Sequence, residues 1–238
     1  MTAATGPVLA LDTACDACSA AVWRDGALLA REFQAMARGQ SEALVPMVER
    51  VMAQAGLAFD DLAGIGVTVG PGAFTGLRIG LAAARAFALA SGKPAVGVTT
   101  LEAIAAAVPA APGALVVAID AKRDDLYVQT FAGGSAWTPA GDPAALLPAM
   151  VATRLPEGPF LIAGDGASRL HAALSDAARA RATLLSDHAV PDAAVVARLA
   201  ALRLAGASLA ATPPRPLYLR PPDAKLPQDG GRLRPLAS

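Results

Sequence analysis

The chain has 238 residues with 20 Lys+Arg against 20 Asp+Glu, so its formal net charge is zero. The absence of Lys/Arg runs argues against direct, tight nucleic-acid binding as a function for the chain by itself. Hydrophobic residues make up 54% of it, ample for a core, although about a quarter of the residues are alanine and only 4% are aromatic. The apolar runs Leu81 to Ala90 and Leu101 to Ile119 are broken by Arg85 and by Glu102, Pro109 and Pro112, short of the ~18–20 residues of a membrane span. Met1 to Thr13 has no basic leader, so the expectation is a cytoplasmic protein without a membrane partner.

In chain order, Val8 to Leu11 reads as a strand ending at Asp12, Ser19 to Trp23 as a second strand, and Ala27 to Phe33 as a third after the Asp25-Gly26 hairpin signal. Cys15 and Cys18 form a C-x-x-C in the first connection. His171 and His188 are too distant to complete a zinc site, so the two thiols are read as ordinary small residues. Ser41 is the expected N-cap of a helix to Ala55, closed by Gly56. Gly64 to Val69 reads as a buried strand, Thr75 to Ala90 as a long helix stopped by Gly92-Lys93-Pro94, Ala95 to Val98 as a strand and Thr100 to Ala107 as a short helix. Beyond a Pro/Ala linker, Leu115 to Ile119 and Leu126 to Phe131 read as strands, Asp142 to Met150 as a helix, Phe160 to Ala163 as a strand and Asp192 to Ala205 as a helix. His171 and His188 are taken as surface or cap residues.

Leu9-Ala10-Leu11-Asp12 matches Val117-Ala118-Ile119-Asp120 in pattern, each opening a strand–turn–strand unit, which points to an internal duplication. The expected division is a first lobe over 1–108, a smaller lobe over 109–212 and an extended tail over 213–238, loose from Pro221. Two such α/β halves resemble the actin, Hsp70 and sugar-kinase (ribonuclease H-like) duplicated fold. In that architecture strand-end carboxylates and glycine turns face a nucleotide between the lobes, and the positions that fit are Asp12, Asp120, Gly164 and Gly166. A strand-end Asp also serves simply as a turn or cap residue, so both readings stand.

The most informative stretch is Gly70-Pro71-Gly72-Ala73-Phe74-Thr75-Gly76-Leu77-Arg78-Ile79-Gly80, a tight turn between strand and helix. Backbone N–H groups at such a helix start suit an anion. The stretch has neither the G-K-[ST] of a phosphate loop nor G-x-G-x-x-G spacing. Gly76, Gly80, Ala84 and Ala88 then form a smooth stripe at four-residue spacing, serving either close packing on the protein's own sheet or a partner.

With L-A-L-D-T at Leu9 to Thr13, S-E-A-L-V-P-M at Ser41 to Met47, G-V-T-T-L-E-A at Gly97 to Ala103, I-D-A-K-R-D-D-L-Y at Ile119 to Tyr127, G-D-G at Gly164 to Gly166 and P-L-Y-L-R at Pro216 to Arg220, that segment is similar to the hallmark of the bacterial TsaB (YeaZ) family. The family usually opens D-T-S-T, whereas Ala14-Cys15 stands here, and many members carry His where this chain has Gln40. The resemblance implies a non-catalytic subunit of the machinery that installs N6-threonylcarbamoyladenosine at position 37 of tRNAs reading codons that begin with A. Its implied partners are the catalytic paralogue TsaD and the ATPase TsaE, with homodimers forming when TsaD is absent and tRNA reached only through the complex. ATP, ADP and metal are expected on the partner subunits, with no cofactor held tightly here. The paralogue's metal-binding H-x-x-x-H corresponds to Thr100 and Ile104, and Ile cannot ligate a metal. The resemblance also implies that the helices from Ser41 and Thr75 meet the partner, for which Leu44, Val48, Val51, Gly76, Gly80 and Ala84 are the expected contacts. The rival reading is a small-molecule kinase of the actin-like fold.

Overall fold

A computed structural model describes residues 6–206 and 213–220. The first sheet comprises β1 (Val8–Asp12), β2 (Ala17–Arg24), β3 (Ala27–Ala35), β4 (Gly64–Gly70) and β5 (Ala95–Thr99) in the order β3-β2-β1-β4-β5. β1 to β3 form an antiparallel meander, and β4 and β5 continue parallel to β1. The β2–β3 turn is the expected hairpin, with Asp25 and Gly26 both at positive φ. The second sheet contains β6 (Ala114–Asp120), β7 (Leu126–Ala132), β8 (Thr138–Pro139), β9 (Ala144–Leu146), β10 (Phe160–Ala163) and β11 (Ala182–Leu184). Its order, β8-β7-β6-β10-β11 with β9 also on β7, repeats the first sheet strand for strand, parallel and antiparallel steps included. The duplication read from Leu9–Asp12 and Val117–Asp120 is therefore real, and both tetrapeptides end the first strand of equivalent units.

Seven helices complete the described chain: α1 (Gln40–Ala55), α2 (Phe74–Ser91), α3 (Thr100–Ala107), α4 (Pro148–Ala152), α5 (Ala167–Ala172), α6 (Asp176–Arg179) and α7 (Ala193–Gly206), with a 3-10 turn at Phe59–Asp61. Side chains alternate along β1. Leu9 and Leu11 join Leu44, Val48, Val51, Leu81 and Ala84 under α1 and α2, while Val8 and Ala10 meet Val196, Ala197 and Ala200 of α7 on the opposite face. Close approach explains much of the alanine content, since a Cβ on Gly66 would lie 2.8 Å from the Ala200 methyl. α3 is fixed by a capping box between Thr99 and Glu102, and Glu102 also pairs with Arg203 of α7 at 2.7 Å.

Three expectations change. Residues 109–212 are not one lobe, because α7 returns to cover the first sheet with small side chains that only that sheet's glycines and alanines can approach so closely. Asp142 to Met150 is not a helix: Pro143 and Pro148 disfavour helical backbone before them, and the segment divides into β9 and α4. Ser41 is not the N-cap of α1; Gly39 is, at φ 93, and the Ser41 hydroxyl bonds Glu42 instead. Residues 221–238 of the expected tail lie outside the described residues.

The stripe on α2 serves the chain itself. A Cβ added to Gly72, Gly76 or Gly80 would lie 2.3 Å from the Ala14 carbonyl oxygen, 2.1 Å from the Thr13 carbonyl oxygen and 2.6 Å from Thr13 Oγ1. In that groove Thr13 Oγ1 donates to the Gly76 carbonyl at 2.7 Å, and the Ala73 N–H donates to the Ala14 carbonyl at 2.7 Å. Helix propensity alone gives Gly76→Ala a gain of roughly 0.8–1 kcal/mol, whereas collision with backbone predicts a net loss of about 1–3 kcal/mol. Thermal denaturation of Gly76→Ala decides between them; a lowered Tm is expected, and an unchanged or raised Tm would contradict the packing described.

Candidate functional site: the cleft between the lobes

A cleft of about 610 Å³ opens between the two sheets. Ala14 to Asp16, Pro71 to Phe74, Leu77 and Arg78 line it from the first lobe, Ile119 to Arg123, Tyr127 and Asp165 from the second, and Leu217 to Arg220 along one side. Its walls are apolar and aromatic, with charged groups at the rim. The loops after β1 and β6 face each other, and Lys122 Nζ bonds the Asp16 carboxylate across the gap at 2.9 Å. The ammonium is held in its charged form by that bond, and by the nearby carboxylates of Asp165 and Asp120. Lys122 reaches this place from a left-handed backbone, φ 56, steadied by its own N–H donating to Asp120 Oδ1 at 2.8 Å.

Of the four positions expected to face a nucleotide, one, Asp120, lines the cleft. Gly164 and Gly166 are packing positions: Gly164 has φ 101 and a Cβ on it would lie 2.0 Å from the Ala118 carbonyl oxygen, while one on Gly166 would lie 2.9 Å from the Asp120 nitrogen. That approach lets Asp165, between them, accept the Asp120 N–H at 2.8 Å and face the cleft. Burial raises the Asp165 carboxyl above its ordinary range. Asp12 is fully buried and is not part of the cleft wall. Its Oδ1 accepts the Thr68 hydroxyl at 2.6 Å and the Ala14 N–H at 3.2 Å, and its Oδ2 has no hydrogen-bond partner among the described residues.

The six expected partner contacts are also corrected. Leu44, Val48, Val51, Gly76, Gly80 and Ala84 are all buried within this chain, the first three and Ala84 on the first sheet and the glycines under the Thr13 loop. The outward side of the same helices carries Val45 and Pro46 on α1 and Ala82, Ala86, Leu89 and Ala90 on α2, with Leu89 86% exposed. Periodicity finds an apolar stripe but cannot orient a helix that is apolar on two sides, which is why the stripe was read outward.

Thr100 and Ile104 are fully buried in the first turns of α3. Among the described residues no three His, Cys, Asp or Glu side chains converge as a metal site. Cys15 and Cys18 are free and buried; Cys18 lies within β2 rather than in the connection. Burial pushes the Cys15 thiol well up, with Asp165, Asp12 and Asp16 adding to it, and raises Cys18 to about 11. Neither thiol is a reactive thiolate at neutral pH. No sequence pattern gives a role to Arg78, Lys122, Arg169, Tyr218 or Arg220, although Arg78 sits in the Gly70–Gly80 stretch and Lys122, Tyr218 and Arg220 in the I-D-A-K-R-D-D-L-Y and P-L-Y-L-R segments.

Two equivalent α/β units closing on a cleft define the class as the actin-like ATPase fold. The family model described as "TsaD: tRNA N6-adenosine threonylcarbamoyltransferase" matches residues 34–227. The Escherichia coli tRNA threonylcarbamoyladenosine biosynthesis protein TsaB is 33% identical over 165 residues, 67% of this chain and 71% of that one. A tRNA N6-adenosine threonylcarbamoyltransferase from Erythrobacter litoralis is 36% identical over 111 residues, of which the match spans only 32%. The solved structure of YeaZ from Pseudomonas aeruginosa superposes with a TM-score of 0.79 at 29% identity, covering 90% of this chain and 100% of that one. The chain belongs to the TsaB (YeaZ) branch of the TsaD family.

Asp12 supplies a titration test. Burial raises its carboxyl to about 7, the Thr68 and Ala14 hydrogen bonds offsetting only part of that cost. The native state therefore keeps this proton up to near neutrality, whereas the unfolded chain releases it near 3.9. Its contribution to stability is greatest below about pH 4 and is lost as the pH rises through 7, a swing on the order of 4 kcal/mol. Asp12→Asn removes the titration, so its Tm is expected to gain on the natural chain between pH 5 and pH 8; a gap independent of pH would contradict the assignment.

Proposed function

We propose that the chain is a non-catalytic subunit of a complex that forms N6-threonylcarbamoyladenosine in tRNA, docking on a TsaD-type catalytic paralogue with α1 and α2. The observation that carries this reading is its membership of the TsaB branch, whose Escherichia coli relative is named for that biosynthesis. Catalysis is assigned to the paralogue, with ATP, ADP and metal on it and on a TsaE-type ATPase, and tRNA contacted through the assembly. Three features of this chain support that division. The Ala73 N–H at the start of α2, the natural anion donor, is already bonded to the Ala14 carbonyl. Lys122 ties together the two loops that would have to admit phosphates. Thr100 and Ile104 stand inside α3 at the positions that the resemblance gives to the paralogue's two histidines.

The docking face is the outward side of α1 and α2, where Val45, Pro46, Ala82, Ala86 and Leu89 are exposed on helices that also expose Glu49, Arg50 and Arg85, and the small residues admit close helix packing. The same face would close a homodimer when the paralogue is absent. No helix among the described residues is long and apolar enough to cross a membrane, which accords with a cytoplasmic place of work. Ala86→Arg puts a charge on this exposed face without entering the core. It is expected to leave the unfolding free energy within about 0.5 kcal/mol of the natural value and to weaken paralogue binding at least tenfold in size-exclusion or calorimetric measurements. Unchanged binding by the folded variant would remove α2 from the interface. Gly80→Arg is no test of it, because that side chain would collide with Thr13.

The second reading, a small-molecule kinase, is favoured by the size of the cleft and by Asp16, Asp120 and Asp165 on its rim. Calorimetric titration of the isolated chain with ATP and magnesium separates the two: the subunit reading predicts no saturable binding, and stoichiometric binding would favour the kinase.

A further inference from the structure

Residues 213–220 have no regular secondary structure, yet they are held at every step as they pass from the first lobe to the second. Arg85 of α2 donates to the Pro214 carbonyl at 2.6 Å, and the Leu217 N–H donates to the Val69 carbonyl of β4 at 2.7 Å. Gly70, at φ 110, gives Leu217 room: a Cβ there would lie 2.9 Å from the Leu217 carbonyl oxygen. The Tyr218 ring lies 5.7 Å from that of Phe74, its hydroxyl accepts from Arg78 Nε at 3.3 Å, and the Arg78 guanidinium covers the Phe74 ring at 3.7 Å. The segment then reaches the second lobe, where Arg220 Nη2 donates to Asp125 Oδ1 at 2.9 Å.

The receiving turn is rigidly built. Arg169 of α5 donates to the carbonyls of Arg123 at 2.5 Å, Asp124 at 2.6 Å and Asp125 at 3.3 Å, and to the Asp120 carboxylate at 3.2 Å. The Asp125 side chain is 13% exposed, against 48% for Asp16 in the Lys122 pair, so the Arg220 contact is the less screened of these two ion pairs. The lobes also share one apolar cluster that includes Leu101, Ile104 and Phe131, of which Ala14, Cys15, Leu77 and Ile119 line the cleft as well. Separation of the lobes along the line where residues 214–220 cross would therefore open the cleft at Cys15.

We propose that residues 214–220 are a strap that holds the two lobes closed over the cleft, with the Arg220–Asp125 pair as its releasable end and Arg169 as the positioning residue of the turn that receives it. This does not rest on the partner proposed above. The chain carries its own reporters: Cys15 lines the cleft, whereas Cys18, in β2, lies in the core of the first lobe and outside the cleft wall. Opening of the cleft exposes the first thiol alone, and global loosening exposes both.

The experiment compares the rates at which a small thiol reagent modifies Cys15 and Cys18, resolved by peptide fragmentation, in the natural chain and in Arg220→Ala, Asp125→Ala, the double variant and Arg220→Lys. Loss of a charge-assisted bond of this kind is expected to raise the Cys15 rate about tenfold with Cys18 unchanged. The double variant should match the singles, and Lys should restore most of the protection. An unchanged Cys15 rate, equal acceleration of both thiols, or additive effects in the double variant would each overturn the strap.

Discussion

The arrangement depends on one close approach, the Thr13-Ala14 backbone laid in the glycine groove of α2. Gly76 and Gly80 on successive turns of that helix, and Gly72 just before it, lack side chains because carbonyl and hydroxyl oxygens of the loop occupy the space a Cβ would need. This contact positions α2 against β1 and β4, and thereby the Leu77 and Phe74 side of the cleft. It also fixes which side of α2 faces outward. A stripe of small residues on a helix is ambiguous between a partner and the molecule's own chain. Here the glycine side is spent internally, and the alanine side, Ala82, Ala86 and Ala90, is exposed.

The same contact bears on chemistry. A helix start with free N–H groups attracts anions, but a carbonyl accepting one of those protons presents its own negative end there instead. With Lys122 bound to Asp16 and three carboxylates at the rim, the end of the cleft where phosphates would enter is built from groups that satisfy one another. An actin-like fold need not carry an actin-like activity, because activity belongs to the site rather than to the architecture. The duplicated sheets carry the cleft as geometry, and the Lys122–Asp16 pair bridges it.

Much of this was legible in the sequence. Strand alternation and the repeated L-A-L-D and V-A-I-D patterns carried the two-lobe fold, and Asp25-Gly26 specified its hairpin with a mechanism that leaves little choice. What stayed hidden was long-range. Nothing local says that α7, some 180 residues after β1, covers that strand, nor that two prolines divide Asp142 to Met150 into a strand and a short helix. Asp120 was found because strand ends are visible in sequence. Asp12, by the same rule, was placed in the cleft when in fact it is buried beneath it, one residue before the loop that covers α2. Arg220 and Asp125 are 95 residues apart, and a lone arginine in a proline-rich tail has no periodicity to mark it.

In the proposed role, this chain supports another subunit's chemistry. The direct measurement is a reconstitution of a TsaD-type paralogue, a TsaE-type ATPase, threonylcarbamoyl-adenylate and substrate tRNA, with and without this chain, reading N6-threonylcarbamoyladenosine by mass spectrometry. The account predicts that the modified nucleoside forms through repeated turnover only when the chain is present, and not when the chain is supplied without the paralogue. Modification at full rate in its absence, or by the chain without the paralogue, would contradict it.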